Sequence, residues 1–341
     1  MKILLIGGTG TISTAVARLL AERGEDLTLL NRGNRSGDVP AGAKVIVCDA
    51  NDEQAVAEKT AGEKYDVVCQ FVAYKPEQVQ RDYRLFAGRT KQYIFISSAA
   101  AYHRPITDYR ITEGTSLANP YWAYAREKAA CEDFLMKMYR EENFPVTIVR
   151  PSHTYGDKYV PVGAHGRKGN WQILKRMLDG KPVIIHGDGT SLWTITNNRD
   201  FAKGFVGLML NPHAMGEAFH ITSDESTTWN QLYATMANCL GVELKAVHVA
   251  SEFLAEADPP YDMGGSLIGD KANSVVFDNT KLKRAVPGFQ ATITAAEGIR
   301  RTVEYMTTHP ECQVEDPEFD DWCDRIIEAL ENAKKAMKRS I

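Results

Sequence analysis

The stretch KILLIGGTGTISTAVARLL, Lys2 to Leu20, decides how the rest of the chain is read. Lys2 to Ile6 is a short run of Ile and Leu, the pattern of a strand buried on both faces. Gly7, Gly8 and Gly10 interrupt it. Val16, Leu19 and Leu20 then give a helix its apolar stripe, and Gly24 is placed to end that helix. Strand, glycine turn and helix start, in this order, are what a pyrophosphate site requires. Gly7 and Gly10 let the backbone turn and approach phosphates, and Thr9, Thr11 and Ile12 lead into a helix N-terminus whose amides meet the charge.

Outward from this unit, apolar runs alternate with helix-period segments, the pattern of a parallel sheet covered by helices on both faces. Further strands are expected at Leu27 to Leu30, Lys44 to Cys48, Asp66 to Phe71, Tyr93 to Ile96, Val146 to Val149 and Ala218 to Thr222. Helices are expected at about Tyr121 to Tyr139, Trp171 to Leu178, Trp229 to Leu240 and Pro317 to Arg339. In the last of these, Trp322, Ile326, Ile327, Leu330, Ala333 and Met337 form an apolar stripe, read as an amphipathic helix packed on the body. The expected division is a dinucleotide-binding domain over 1–165 with 200–224 folding back into it, a smaller substrate domain over 166–199 and 225–310, and a C-terminal helix over 311–341.

Composition narrows the function. With 40 Lys and Arg against 44 Asp and Glu, both signs dispersed and a net charge of -4, no basic field is present to hold nucleic acid. No apolar run approaches the ~20 residues that span a bilayer, and no secretory segment is expected. The six cysteines are far apart with no CxxC pair, so they read as reduced, buried thiols of a cytoplasmic protein, and no metal site is expected.

Tyr124 and Lys128 stand four apart on the helix expected near Tyr121 to Tyr139, hence on one face. A free tyrosine titrates near ~10, and a neighbouring ammonium favours its phenolate, which makes proton exchange with a substrate hydroxyl possible. Ser98 follows the fifth strand, at the sheet edge that faces a ligand crevice. After the second strand, where an acid would hold the adenosine ribose, Asn31-Arg32 stands instead. The arginine can accept a 2′-phosphate, so NADP is favoured over NAD.

These motifs together resemble the extended short-chain dehydrogenase/reductase family, also called NAD-dependent epimerase/dehydratases. The resemblance is carried by IGGTGTIS from Ile6, FISSAAAY from Phe95, YAREKAACE from Tyr124, VRPSHTYG from Val149, GDGTSLWTITNNRDFAKG from Gly187 and FDNTKLKRAVPGF from Phe277. It implies a Rossmann-type, doubly wound α/β fold with a smaller C-terminal substrate domain. It also implies catalysis by Ser98, Tyr124 and Lys128, with Lys128 holding the nicotinamide ribose, Asp49 near the adenine and the Ala73 backbone along the cofactor. A homodimer through exposed helices is implied as well.

One departure touches the cofactor turn and three shape the substrate reading. Ser13 replaces the third glycine and is small enough to be tolerated. Ala99-Ala100 follow Ser98 where dehydratases carry an acid pair, so dehydration is not expected. Trp193 stands where many relatives place a diphosphate-binding arginine, and His153 where they place asparagine. Tyr102, His153 and Trp193, with Ser98, are the candidate substrate contacts. The expected activity is NAD(P)-dependent hydride transfer or epimerisation on a sugar, sugar nucleotide or related polyol. The alternative is a non-catalytic dinucleotide-sensing or RNA-associated scaffold, against which the retained Ser98, Tyr124 and Lys128 argue.

Overall fold

The computed structural model describes residues 1–257 and 261–338. The chain divides into two compact units, each built from three segments. The first comprises Met1–Thr154, Thr194–Asp224 and Val276–Ile293. The second comprises Tyr155–Trp193, Glu225–Val275 and Thr294–Ile341, of which 258–260 and 339–341 lie outside the described residues.

Seven strands form the sheet of the first unit: β1 (Lys2–Ile6), β2 (Asp26–Asn31), β3 (Lys44–Val47), β4 (Tyr65–Gln70), β5 (Thr90–Ile96), β6 (Val146–Pro151) and β7 (Glu217–Ile221). All pair in parallel, in the order β7-β6-β5-β4-β1-β2-β3. The order reverses between β1 and β4, and such a reversal opens a crevice at the carboxyl ends of the strands.

Alternation along the strands assigns two cores. Ile3 and Leu5 join Leu29, Val67, Ile94 and Val149 against helix α1 (Thr11–Glu22) and the helix over Asn198–Gly207. Leu4 and Ile6 join Leu30, Val68, Tyr93, Phe95 and Ile148 on the other face, under α2 (Pro76–Phe86) and α3 (Ala123–Glu142). Each fully buried aliphatic side chain of this kind contributes about 1.5–3 kcal/mol.

Several expectations change. The third strand is not buried on both faces, because it is the last in the sheet and leaves Val45 42% and Val47 57% exposed. The segment Val276–Ile293 belongs to the first unit, where Val276–Phe277 pairs in parallel with Arg110–Ile111. No turn or periodicity signals a pairing across such a sequence distance. Cys239 is exposed and Cys312 half-buried, unlike the other four thiols.

In the second unit, the C-terminal helix Pro317–Lys338 buries Phe319, Trp322, Cys323 and Ile326. Fully buried Arg176 pairs with Asp320 at 2.7 Å and Asp324 at 2.8 Å, and Trp322 Nε1 donates to the Ala257 carbonyl at 3.0 Å. The apolar stripe outruns its cover: Ala333 and Met337, read from sequence as part of the packed face, are exposed, Met337 by 71%. Among the described residues no helix is long and apolar enough to cross a membrane.

Candidate active site

Two glycines of the turn after β1 serve different ends. Gly7 has φ +94°, and a Cβ there would lie 2.4 Å from Val72 Cγ1, so the fold itself demands glycine. A Cβ on Gly10 would meet only Ser13 Oγ, at 3.4 Å, so packing leaves room there. Bare backbone at Gly10 instead suits the close approach of a phosphate. Ser13 does more than fit. It is buried, its Oγ accepts from Gly10 N at 2.8 Å, and it donates to the Gly7 carbonyl at 2.7 Å, tying both ends of the turn. The first turn of α1 holds no acidic side chain, so nothing opposes an anion at its amides. Ile12 packs on the core and the Thr11 carbonyl accepts from Asn198 Nδ2 at 2.7 Å, which leaves the Ile12 amide and the Thr11 amide and hydroxyl as the groups that can serve a cofactor.

Beside the turn lies a groove of about 560 Å³ lined by Thr9, Asn31, Arg32, Arg35, Asp49 and Tyr74 among others. Asn31 Oδ1 accepts from Gly33 N at 2.8 Å, while its Nδ2 is buried without a partner. An orphaned donor in this groove, together with the open space at Gly10, fits a dinucleotide's adenosine and phosphates. Arg32 is exposed, and Arg35, which sequence reading passed over, reaches back to the Thr9 carbonyl at 3.3 Å. Asp49 is also exposed and accepts from Asn51 N at 2.9 Å. It does not cap the following helix, which Asp52 does through Ala55 N. Two more residues of the groove region were missed: Asn51 Oδ1 accepts from Gln78 Nε2 at 2.8 Å, and Gln78 Oε1 accepts from Tyr74 N at 2.6 Å. The only sequence signal for Gln78 is its place three residues after Lys75, in the first turn of a helix that Pro76 opens.

The catalytic candidates of the first unit converge at the ends of β4 and β5. Lys128 is 1% exposed, and its Nζ donates to the carbonyl oxygens of Ala73 at 2.7 Å and Ile96 at 2.8 Å. Burial pushes its pKa down to about 8, opposed by the neighbouring Cys131 and Glu132. The ammonium lies 5.8 Å from the ring centre of half-buried Tyr124 and 4.7 Å from that of Tyr74. Tyr74 is therefore a second ring of this centre, with its own centre 6.3 Å from that of Tyr124. Ser98 stands half-buried just past β5, where its Oγ accepts from Ala100 N at 3.2 Å. Ala73 meets the site through its carbonyl, spent on Lys128.

Beneath these residues runs a buried polar network that sequence reasoning did not assemble. Glu132, one turn beyond Lys128 on α3, accepts from Ser97 Oγ at 2.5 Å and from Arg150 Nη2 at 2.6 Å and Nε at 3.0 Å. Arg150 Nη1 also donates to the Tyr102 hydroxyl at 3.2 Å. His220 Nε2 faces the Asp278 carbonyl at 2.8 Å, so that nitrogen carries the proton. Its Nδ1 then accepts from the Tyr102 hydroxyl at 3.2 Å. Burial holds His220 toward the neutral form.

Two substrate assignments change accordingly. Tyr102 has no exposed surface and its hydroxyl is engaged on both sides, so it supports the site from within instead of meeting a substrate. Trp193, in the second unit, is 3% exposed and stacks on Trp229 with ring centres 5.3 Å apart, so it offers no open face for stacking. His153 is half-buried at the start of the short strand His153–Tyr155. No group of His, Cys, Asp and Glu among the described residues could hold a metal ion.

Comparison with known proteins agrees with this architecture. The 2'-dehydrokanamycin reductase of Streptomyces kanamyceticus is 24% identical over 290 residues, covering 85% of this chain and 80% of the relative. A UDP-glucose 4-epimerase of Lactobacillus helveticus is 26% identical over 337 residues, covering 91% and 98%. The crystal structure of UDP-glucuronic acid 4-epimerase from Bacillus cereus, in complex with UDP-glucuronic acid and NAD, matches with a TM-score of 0.71 at 17% identity, over 90% of this chain and 99% of that one. The sequence profile of the NAD dependent epimerase/dehydratase family matches residues 3–222. A match that runs from the first strand of the sheet to its last makes this chain a member of the NAD dependent epimerase/dehydratase family.

Proposed function

We propose that the protein moves hydride between a nicotinamide cofactor and the carbinol carbon of a sugar or sugar derivative, with Tyr124 as the proton carrier. The observation that carries this reading is the Lys128 ammonium, buried, held by two backbone carbonyls and 5.8 Å from the Tyr124 ring. A cation in that position favours the phenolate over the phenol. In the oxidising direction the substrate O–H gives its proton to the Tyr124 oxygen while Ser98 hydrogen-bonds the same substrate oxygen. In reduction the proton returns from Tyr124 to the oxygen of the substrate carbonyl. The nicotinamide, when bound, supplies the hydride acceptor or donor. Gly7 to Ser13 would hold its phosphates and the Asn31-Arg32 groove its adenosine, with Arg32 selecting NADP through the 2′-phosphate.

Water elimination is not part of this reading, since Ala99 and Ala100 are buried and carry neither acid nor base. The relatives include a reductase and an epimerase, and the proton transfer proposed for Tyr124, Lys128 and Ser98 serves either activity in this chain. A homodimer completes the proposal, tested by sedimentation. The decisive experiment incubates the protein with NAD or NADP and a panel of free sugars, aminoglycosides and nucleotide sugars, following nicotinamide absorbance and product configuration. Turnover on one class, lost in Tyr124→Phe, is the expected result. Undiminished turnover in that variant would overturn the mechanism.

A further inference from the structure

Two adjacent serines follow β5, and they do different things. Ser98, half-buried, is the hydroxyl assigned to the proposed reaction, whereas Ser97 is 1% exposed and turned inward to Glu132. The backbone leading into Ser98 is held by one helix at two levels: Lys128 donates to the Ile96 carbonyl, and one turn later Glu132 accepts from the Ser97 hydroxyl. Glu132 is in turn clamped by Arg150 through Nε and Nη2, so its carboxylate has no rotational freedom left. We infer that Glu132 is a positioning residue of the reaction, setting through Ser97 and Arg150 where Ser98 stands relative to Tyr124 and Lys128. This inference rests on the function proposed above.

The arrangement is costlier than a fold needs. Burying an Arg–carboxylate pair contributes little net stability compared with a well-packed apolar pair of similar volume. What it adds is direction, because a bidentate pair fixes both partners in angle as well as distance. A catalytic hydroxyl misplaced by about 1 Å loses on the order of 10²-fold in rate, so a rigid tether on the residue next to Ser98 acts on catalysis directly. The pair also sets the local charge. Tyr124 meets Lys128 from its own helix and Tyr74 from the loop after β4, and two turns further along that helix Glu132 pairs with Arg150 from β6, with Glu113 and His220 beyond the arginine. Burial opposes the charge on Lys128, while Cys131 and Glu132 on the same helix favour its protonated amine.

The test reads Tyr124 itself, without any substrate. The protein is labelled with carbon-13 at the tyrosine ring carbon bearing the hydroxyl, and the Tyr124 resonance, assigned as the one missing from Tyr124→Phe, is followed against pH. Replacing Glu132 with Gln removes a negative charge and leaves that of Arg150 unbalanced, so the Tyr124 titration is expected to move to lower pH. Replacing Ser97 with Ala keeps every charge, so it leaves the titration in place but lowers turnover about tenfold on whichever substrate the panel finds. A merely structural pair predicts lower thermal stability in Glu132→Gln with an unmoved titration, and that result overturns the inference. So does wild-type turnover in Ser97→Ala, which decides alone if Glu132→Gln does not fold. A wild-type Tyr124 resonance that titrates with no dependence on Lys128→Met would instead count against the proposed function, so the two failures are distinct.

Discussion

The groove beside the glycine turn and the centre under α3 both belong to the first unit, and they handle charge in opposite ways. In the groove Arg32, Arg35 and Asp49 are exposed, and water screens whatever they do. Under α3, Lys128, Glu132 and Arg150 are buried, and each polar contact replaces one lost to solvent. The difference teaches where large effects are to be sought. A surface charge adjusts binding by about 0.2–1 kcal/mol, whereas a buried charge deprived of its partner costs several times more.

The largest effect that sharpens this contrast is at the buried centre. Tyr124→Phe removes one hydroxyl and is expected to slow the reaction by ~10²–10⁴-fold, the usual cost of losing a positioned acid or base, while cofactor affinity survives. Steady-state kinetics beside a cofactor titration checks both halves.

Lys128 provides a pH test of burial. Its folded pKa, near 8, lies below the 10.5 of a free lysine, so the folded state disfavours the charged form. That penalty is fully present below about 8 and is relieved as pH rises toward 10.5, where the unfolded chain also loses its proton. The unfolding free energy of wild type relative to Lys128→Met should therefore climb across that window. Urea titrations that show a flat difference would place Lys128 in a solvated setting and erase the contrast with the groove.

At the turn, Gly7 and Gly10 separate fold from ligand. Gly7→Ala is expected to cost roughly 2–4 kcal/mol of stability, from the positive φ and the contact with Val72. Gly10→Leu should keep near-wild-type stability yet abolish cofactor binding. Thermal unfolding beside a fluorescence titration distinguishes the two, and comparable destabilisation in both would show that Gly10 too is a packing glycine. Ser13→Ala falls between them at ~1–2 kcal/mol, since it leaves the Gly10 amide without its acceptor.

The smallest effect belongs to the groove. Arg32→Ala should weaken NADP up to about fivefold and NAD little, and the difference should shrink with added salt because the side chain is exposed. Equal loss for both cofactors would mean that the arginine does not meet the 2′-phosphate.

Much of this was legible in residues that lie close together along the chain. The glycine turn, the strand runs and the four-residue step from Tyr124 to Lys128 are local patterns, and local patterns encode backbone conformation and the face a side chain occupies. The roles of Ser97, Glu132, Arg150 and Tyr102 were not legible, although all four stand inside motifs read from the sequence. Their partners are separated by 35, 18 and 48 residues, and nothing in composition or spacing says which buried hydroxyl will meet which carboxylate. The same holds for Trp193, whose ring could have faced a ligand until Trp229 was packed against it, and for β3, whose valines look buried until the sheet ends there. Sequence by itself determined the strands, the helices and the residues able to do chemistry, because short-range sterics and hydrophobic periodicity act within a few residues. Tertiary structure alone decided which polar groups are desolvated and with whom they pair, because that depends on segments distant in the chain arriving at one place in the sheet.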